Sequence, residues 1–148
     1  MLRFYKLLAC ILLSTLTGCS SLGPMQQFYG PMDTPSFEPI VLATVNDGST
    51  EVLFKEFGCL FNQGRYDDCG VFFITDNGVY LAEWDTISYE YKLGFHLLRK
   101  NISSVSERRY VRDFGFDSHL LVIKDMRGEK INFDIKSAHA AKYELVRL

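Results

Sequence analysis

Two apolar runs, Val71 to Thr75 and Val79 to Trp84, are separated by Asp76-Asn77-Gly78. Asn-Gly between such runs is the strongest short-range hairpin signal, because the tight primed turns need left-handed backbone that these residues adopt cheaply. Further strand-like segments surround this pair. Ile40 to Val45 is a short apolar run closed by Asn46-Asp47-Gly48, and it reads as a strand. Glu51 to Phe57 is the next extended segment. Tyr89, Tyr91, Leu93, Phe95 and Leu97 alternate with Glu90, Lys92, Gly94, His96 and Leu98, as in a strand with one mostly polar face. Ile102 to Val111 is a weaker strand. His119 to Lys124 and Lys130 to Ile135 flank a turn at Met126-Arg127-Gly128, with Ile131, Phe133 and Ile135 expected to face inward and Asn132 and Asp134 outward.

The period then changes from two to about 3.6. Ser137 is placed to cap a helix, and Ala138, Ala141, Leu145 and Leu148 form one apolar stripe. The expectation is a mainly β fold: a bent antiparallel sheet or partly open barrel of about seven strands, capped by one C-terminal α-helix. A length of 148 residues leaves room for one domain. A hydrophobic content of 47% argues against disorder, and no apolar run reaches the roughly 18 residues of a membrane-spanning helix. A net charge of −2 gives no footprint for nucleic acid.

The first residues are an address. Arg3 and Lys6 precede a mostly apolar stretch from Leu7 to Leu16, followed by Leu16-Thr17-Gly18-Cys19. A basic start, a short apolar region and small residues before the cut describe a secretory signal. As a helix the apolar region is about 15 Å long, half of a bilayer core. Leu-Thr-Gly-Cys resembles the lipobox of bacterial lipoproteins. That resemblance implies that Cys19 is diacylglycerylated, that the chain is cut before it, and that the new amino group is acylated. Ser20, rather than Asp, follows the cysteine, which in Gram-negative members of that family favours the outer membrane. The segment 1–18 would then be the signal peptide. Of 16 basic and 18 acidic side chains, Arg3 and Lys6 leave with it, so the charge moves from −2 to −4. The acyl chains, not bulk electrostatics, would hold the protein at the membrane.

All four prolines, Pro24, Pro31, Pro35 and Pro39, fall within 19–39, the composition of a tether. About 20 such residues span about 25 Å as a flexible chain and about 60 Å when extended. Phe28, Tyr29 and Phe37 are unusual in a linker; they either dock on the domain that follows, the preferred reading, or lie at the membrane surface. The folded domain is expected over 40–148.

Cys59 and Cys69 remain once Cys10 leaves and Cys19 is lipidated. They flank Gly64-Arg65-Tyr66-Asp67-Asp68, and in an oxidising envelope an even pair around a loop reads as a disulfide. Two buried thiols, or a redox or metal site, are the other readings; the spacing is not Cys-x-x-Cys, and no further cysteine completes a zinc site.

Meandering strands with one terminal helix, together with Gly70-Val71-Phe72-Phe73-Ile74-Thr75-Asp76, Ile102-Ser103-Ser104-Val105, Leu121-Val122-Ile123-Lys124 and Gly128-Glu129-Lys130-Ile131-Asn132-Phe133, resemble the GRAM branch of the pleckstrin-homology superfold. The resemblance covers roughly Phe57 to Leu148. Eukaryotic relatives bind phosphoinositides, lipids or proteins, but the basic pocket between their first two strands has no counterpart here, where the matching loop carries Arg65, Asp67 and Asp68.

No nucleophile, metal or phosphate motif is present. His96, His119 and His139 have no metal-site spacing, and Glu83, Asp85 and Glu90 around Trp84 read as a solvated edge. The one basic concentration is Arg99, Lys100, Arg108, Arg109 and Arg112, which is either a contact for a partner or lipid headgroup or a charged edge that blocks aggregation. Phe114-Gly115-Phe116 is an aromatic loop tip, read as a plug for the barrel's open end or an exposed contact. The resulting expectation is a lipid-anchored cell-envelope lipoprotein, most readily at the outer membrane facing the periplasm. It would act as a non-enzymatic binding or scaffold module without a cofactor or metal, its partners being the membrane and an envelope protein or lipid. The alternative is a periplasmic carrier of a lipid or small hydrophobic ligand.

Overall fold

The computed structural model describes residues 37–111 and 117–147. The described residues open with helix α1 (Phe37–Val45) and continue through β1 (Val52–Asn62), β2 (Arg65–Thr75), β3 (Gly78–Asp85) and β4 (Glu90–Leu98). A short 3₁₀ turn (Arg99–Asn101) leads to β5 (Ile102–Val111), β6 (Asp117–Asp125), β7 (Lys130–Ile135) and helix α2 (Ala138–Arg147). The seven strands form one antiparallel open sheet in the order β4-β3-β2-β1-β7-β6-β5. Mainly β, seven strands and a C-terminal helix is the architecture expected from the sequence.

One face of the sheet carries the larger core. Phe72, Ile74, Val79, Leu81, Leu121, Ile123, Phe133 and Ile135 pack there against Ala138, Ala141 and Leu145 of α2. Those three are the described members of the stripe expected for that helix; Leu148 lies outside the described residues. Phe133 and Ile135 are buried as expected, while Asn132 and Asp134 point the other way, Asn132 Nδ2 donating to Phe61 O at 3.2 Å and Asp134 accepting from Tyr66 Oη at 2.5 Å. The Met126-Arg127-Gly128 turn is held by Asp125, whose buried carboxylate accepts from the backbone N–H groups of Arg127 and Glu129 at 2.9 and 2.8 Å.

The expected strand at Ile40 to Val45 is instead most of helix α1. Pro39, counted with the tether, sits in its first turn, where a missing N–H removes no intrahelical bond. Phe37 and Val41, one turn apart, are buried against Val71, Phe73, Tyr80, Ala82 and Tyr91 on the opposite face of the sheet. The Phe37 ring meets Phe73 and Tyr91 edge-on, at centroid distances of 5.9 and 5.1 Å. Phe37 therefore docks on the domain, whereas Phe28 and Tyr29 lie outside the described residues. Asn46, at φ +46°, ends the helix in the left-handed conformation. Local β-propensity loses here because an apolar sheet face needs a cover. Gly70 to Thr75 is buried at every residue because α1 covers one face of β2 and α2 the other.

Two further details depart from the sequence reading. The Gly64–Asp68 segment is no loop: β1 and β2 form a tight hairpin around Gln63-Gly64, and Arg65 to Asp68 belong to β2. The alternation in β4 also fails to stay on one face. The register shifts where Leu81 pairs with Phe95 and Ala82 with Leu93, making Gly94 the extra residue of a bulge. Phe95 and Leu97 consequently join the α2 face, and Tyr91 and Leu93 the α1 face.

Candidate functional site

Cys59 and Cys69 occupy facing positions in the β1–β2 hairpin and form a disulfide with a Cα–Cα distance of 4.0 Å. Strand pairing brings the thiols together, so the bridge staples a hairpin and leaves no free thiol there for redox chemistry or metal.

The basic residues are divided by the fold. Arg99 and Lys100 form the 3₁₀ turn between β4 and β5. Arg108 and Arg109 are exposed further along β5, an edge strand of the sheet. Seven or so residues of strand place the two groups about 20 Å apart, and Arg112 lies outside the described residues. Arg99 is partly buried: its Nη2 donates to Glu144 O at 3.3 Å in the last turn of α2, where carbonyls lack intrahelical partners. Burial lowers its pKa, against an opposing pull from Asp76. Its cation thus sits at the negative end of the helix dipole. Arg99→Met is expected to lower the unfolding free energy by about 1 kcal/mol in urea titrations, while the exposed Arg108→Ser stays within about 0.5 kcal/mol of the parent.

Beside Arg99 lies an open cavity of about 410 Å³, lined by Asp47, Asp76, Asn77, Leu98, Arg99 and Lys100. Its acids are engaged in holding the chain together. Asp47 Oδ1 accepts from Ser49 N and Oγ at 3.0 and 2.6 Å, and its Oδ2 accepts from the Tyr80 hydroxyl. Asp76 accepts from Thr50 N at 3.0 Å and from Thr50 Oγ1 at 2.8 Å. Thr75 Oγ1 accepts from Asn77 N and Gly78 N, both at 3.1 Å. Together these bonds lace the segment after α1 to the β2–β3 turn. Burial works to raise the pKa of Asp47, but the bonds from Ser49 and Tyr80 outweigh it and hold the carboxyl below its usual value. Chemically this is a lock, with its acceptors already occupied.

Tyr80 is the buried end of that lock. Burial, then the hydrogen bond that its hydroxyl donates to the Asp47 carboxylate, push its pKa up to about 12 from 10.0. Since the folded-state value is the higher one, the associated stability is complete below pH 10 and is lost as the pH rises from 10 to about 12. An alkaline titration of tyrosinate absorbance should show one late-titrating residue that Tyr80→Phe removes; an unchanged titration in that variant refutes the assignment.

The histidines are apart. His96 faces Tyr80 across β3–β4 and His119 faces Arg109 across β5–β6. Exposed His139 lies 3.2 Å from Glu107. Among the described residues no group of three or more His, Cys, Asp or Glu is placed to hold a metal. Around Trp84, Asp85 is taken up by Lys92 and by the turn that follows it. Glu83 has a raised pKa, first from burial and then from the neighbouring Asp68 charge.

The feature that sequence reasoning missed is the β3–β4 turn. Ile87 is 90% exposed and Tyr89 76%, while the aromatic tip expected at Phe114 and Phe116 lies outside the described residues. The available signal was a large apolar residue at each of two positions in a segment, Asp85-Thr86-Ile87-Ser88-Tyr89, otherwise suited to a turn. No family model, curated protein or solved structure matches the chain. Its class is therefore stated from the fold alone: a mainly β domain with a seven-stranded antiparallel sheet and a C-terminal helix.

Proposed function

We propose that this is a lipid-anchored cell-envelope lipoprotein whose domain acts as a non-enzymatic binding or scaffold module. Leu16-Thr17-Gly18-Cys19, at the end of a short apolar segment, is the observation that carries this reading. Helix α1 opens 18 residues after Cys19, and on this reading the mature chain would consist of an anchor, a short tether and a β domain. The strand order 4-3-2-1-7-6-5 with a terminal helix supports the resemblance to the pleckstrin-homology superfold, whose eukaryotic members bind phosphoinositides, lipids or proteins. The carrier alternative has less support, because the sheet face that would hold a ligand is filled by Phe72, Phe95, Phe133 and the stripe of α2. Ser20 after the lipidated cysteine favours the outer membrane facing the periplasm.

Cys19→Ser is the direct test. In membrane fractionation the parent should pellet with envelope membranes, and the variant should accumulate as the uncleaved precursor or leave the lipid-anchored pool. Identical fractionation and identical mature mass would refute the anchor.

A further inference from the structure

The β3–β4 turn exposes two large apolar side chains on a segment built to stay folded. Asp85 Oδ1 accepts from Ile87 N at 2.7 Å and Ser88 N at 3.2 Å, and Tyr89 N donates to Asp85 O at 2.9 Å. Lys92 pairs with the other carboxylate oxygen. The backbone N–H groups of Ile87, Ser88 and Tyr89 are therefore satisfied from within the turn, so these residues can leave water without stranding those donors. Tyr89 is held at φ +56°, a left-handed conformation uncommon for an aromatic residue. Behind the tip, Trp84 lies edge-on to Tyr89 at 6.5 Å and to Tyr91 at 4.9 Å. Trp and Tyr favour the zone where hydrocarbon meets water.

The path of the chain says what surface the tip faces. Phe37, the first residue of α1, packs on Tyr91, while the segment after the helix is tied by Asp47 to Tyr80 and Asn77 at the opposite end of β3. The helix therefore runs away from the β3–β4 turn, and its first residue, Phe37, lies on the turn's side. Tyr89, at the end of the turn, is two residues from Tyr91 and so no more than about 7 Å from it along the chain. Phe37 is eighteen residues from Cys19 in sequence, a length that reaches about 25 Å at random-coil dimensions.

We propose that Ile87 and Tyr89, with Trp84 behind them, form a membrane-interface contact that inserts shallowly into the bilayer carrying the Cys19 anchor and sets the orientation of the domain on it. This rests on the lipid-anchor reading. Two side chains are too few to bind a vesicle from bulk solution, but a tether of this length holds them at an effective concentration on the order of millimolar. The flanking charges, Glu83, Asp85 and Glu90 against Lys92, provide no attraction to anionic headgroups, so the contact is apolar and insensitive to salt.

Trp84 is the only tryptophan in the chain, and it reports directly on the tip. The full chain, extracted from its own membranes, is reconstituted into zwitterionic phosphatidylcholine–phosphatidylethanolamine vesicles with or without brominated phosphatidylcholine, and its Cys19 acylation is read by mass. The expected result is quenching of Trp84 by the brominated lipid, stronger for bromines near the headgroup end of the acyl chain than for bromines at its terminus, and unchanged by salt. Ile87→Asp/Tyr89→Asn should abolish quenching while acylation, far-ultraviolet circular dichroism and the Cys59–Cys69 bridge stay as in the parent. Acylated protein whose Trp84 is unquenched, or quenched equally in the double variant, overturns the proposal and leaves the anchor reading intact. Shielding of the tip only when a second envelope protein is added overturns it in favour of a protein-docking surface. A Cys19 without acyl groups overturns the anchor reading and the proposal with it.

Discussion

Phe37→Ala is expected to lower the unfolding free energy by about 3–5 kcal/mol, the range for truncating a fully buried aromatic side chain. Phe37 is 1% exposed and lies at the centre of the cluster under α1, edge-on to both Phe73 and Tyr91. Its loss opens a void between the helix and the sheet. A nine-residue helix has little stability of its own in water, so α1 should detach, exposing Val71, Phe73 and Ala82 to solvent. Equilibrium urea unfolding measures the loss, and hydrogen exchange should show reduced protection in α1 and β2–β3 with β5–β7 less affected. A loss below about 1 kcal/mol would mean that α1 is an accessory of the domain. Ile40→Ala provides the contrast, since Ile40 is 44% exposed on the outer side of the helix.

Removing the Cys59–Cys69 bridge, as the double alanine variant, should cost about 2–3 kcal/mol, the loop-entropy value for a ten-residue separation. The mechanism lies in the unfolded chain, where the bridge holds the hairpin ends together. β1 also pairs with β7 through Gly58, Cys59 and Leu60, so the hairpin links the two halves of the sheet. The denaturation midpoint of the parent should fall to that of the variant when a reductant is added. A parent whose midpoint is indifferent to reduction would show that the bridge does not form in the protein.

Most of the sheet was legible because its signals are local. The Asp76-Asn77-Gly78 turn, the alternation of Ile131, Phe133 and Ile135, and the stripe on α2 each lie within a few residues of sequence. The disulfide was legible from parity and compartment, although the hairpin that aligns the thiols was not. Helix α1 was misread because Ile40, Val41 and Val45 favour strands and because the prolines suggested a tether ending at Pro39. Two clues pointed the other way: Glu38 and Pro39 suit a first helical turn, and the unbroken apolar runs of β2 and β3 need cover on both faces. The bulge at Gly94 was visible only as a glycine within a strand, and its face switch depends on the β3 partner.

The candidate site was less legible for the same reason. The clustering of Arg99, Lys100, Arg108, Arg109 and Arg112 in sequence suggested one patch, but β5 carries its members apart and α2 takes Arg99 for its C-terminal end. Tyr80 and Asp47 are 33 residues apart, and only the return of the chain after α1 brings them together. The exposed tip at Ile87 and Tyr89 has a pattern, apolar residues inside a turn, that resembles ordinary surface scatter until the fold places Phe37, the start of α1, against neighbouring Tyr91.

The intact mass of the protein purified from its own membranes tests the central claim most directly. The account predicts a chain beginning at Cys19 and carrying the added mass of a diacylglyceryl group and an amide-linked acyl chain. A chain that retains Met1, or one that begins elsewhere with Cys19 unmodified, would contradict it.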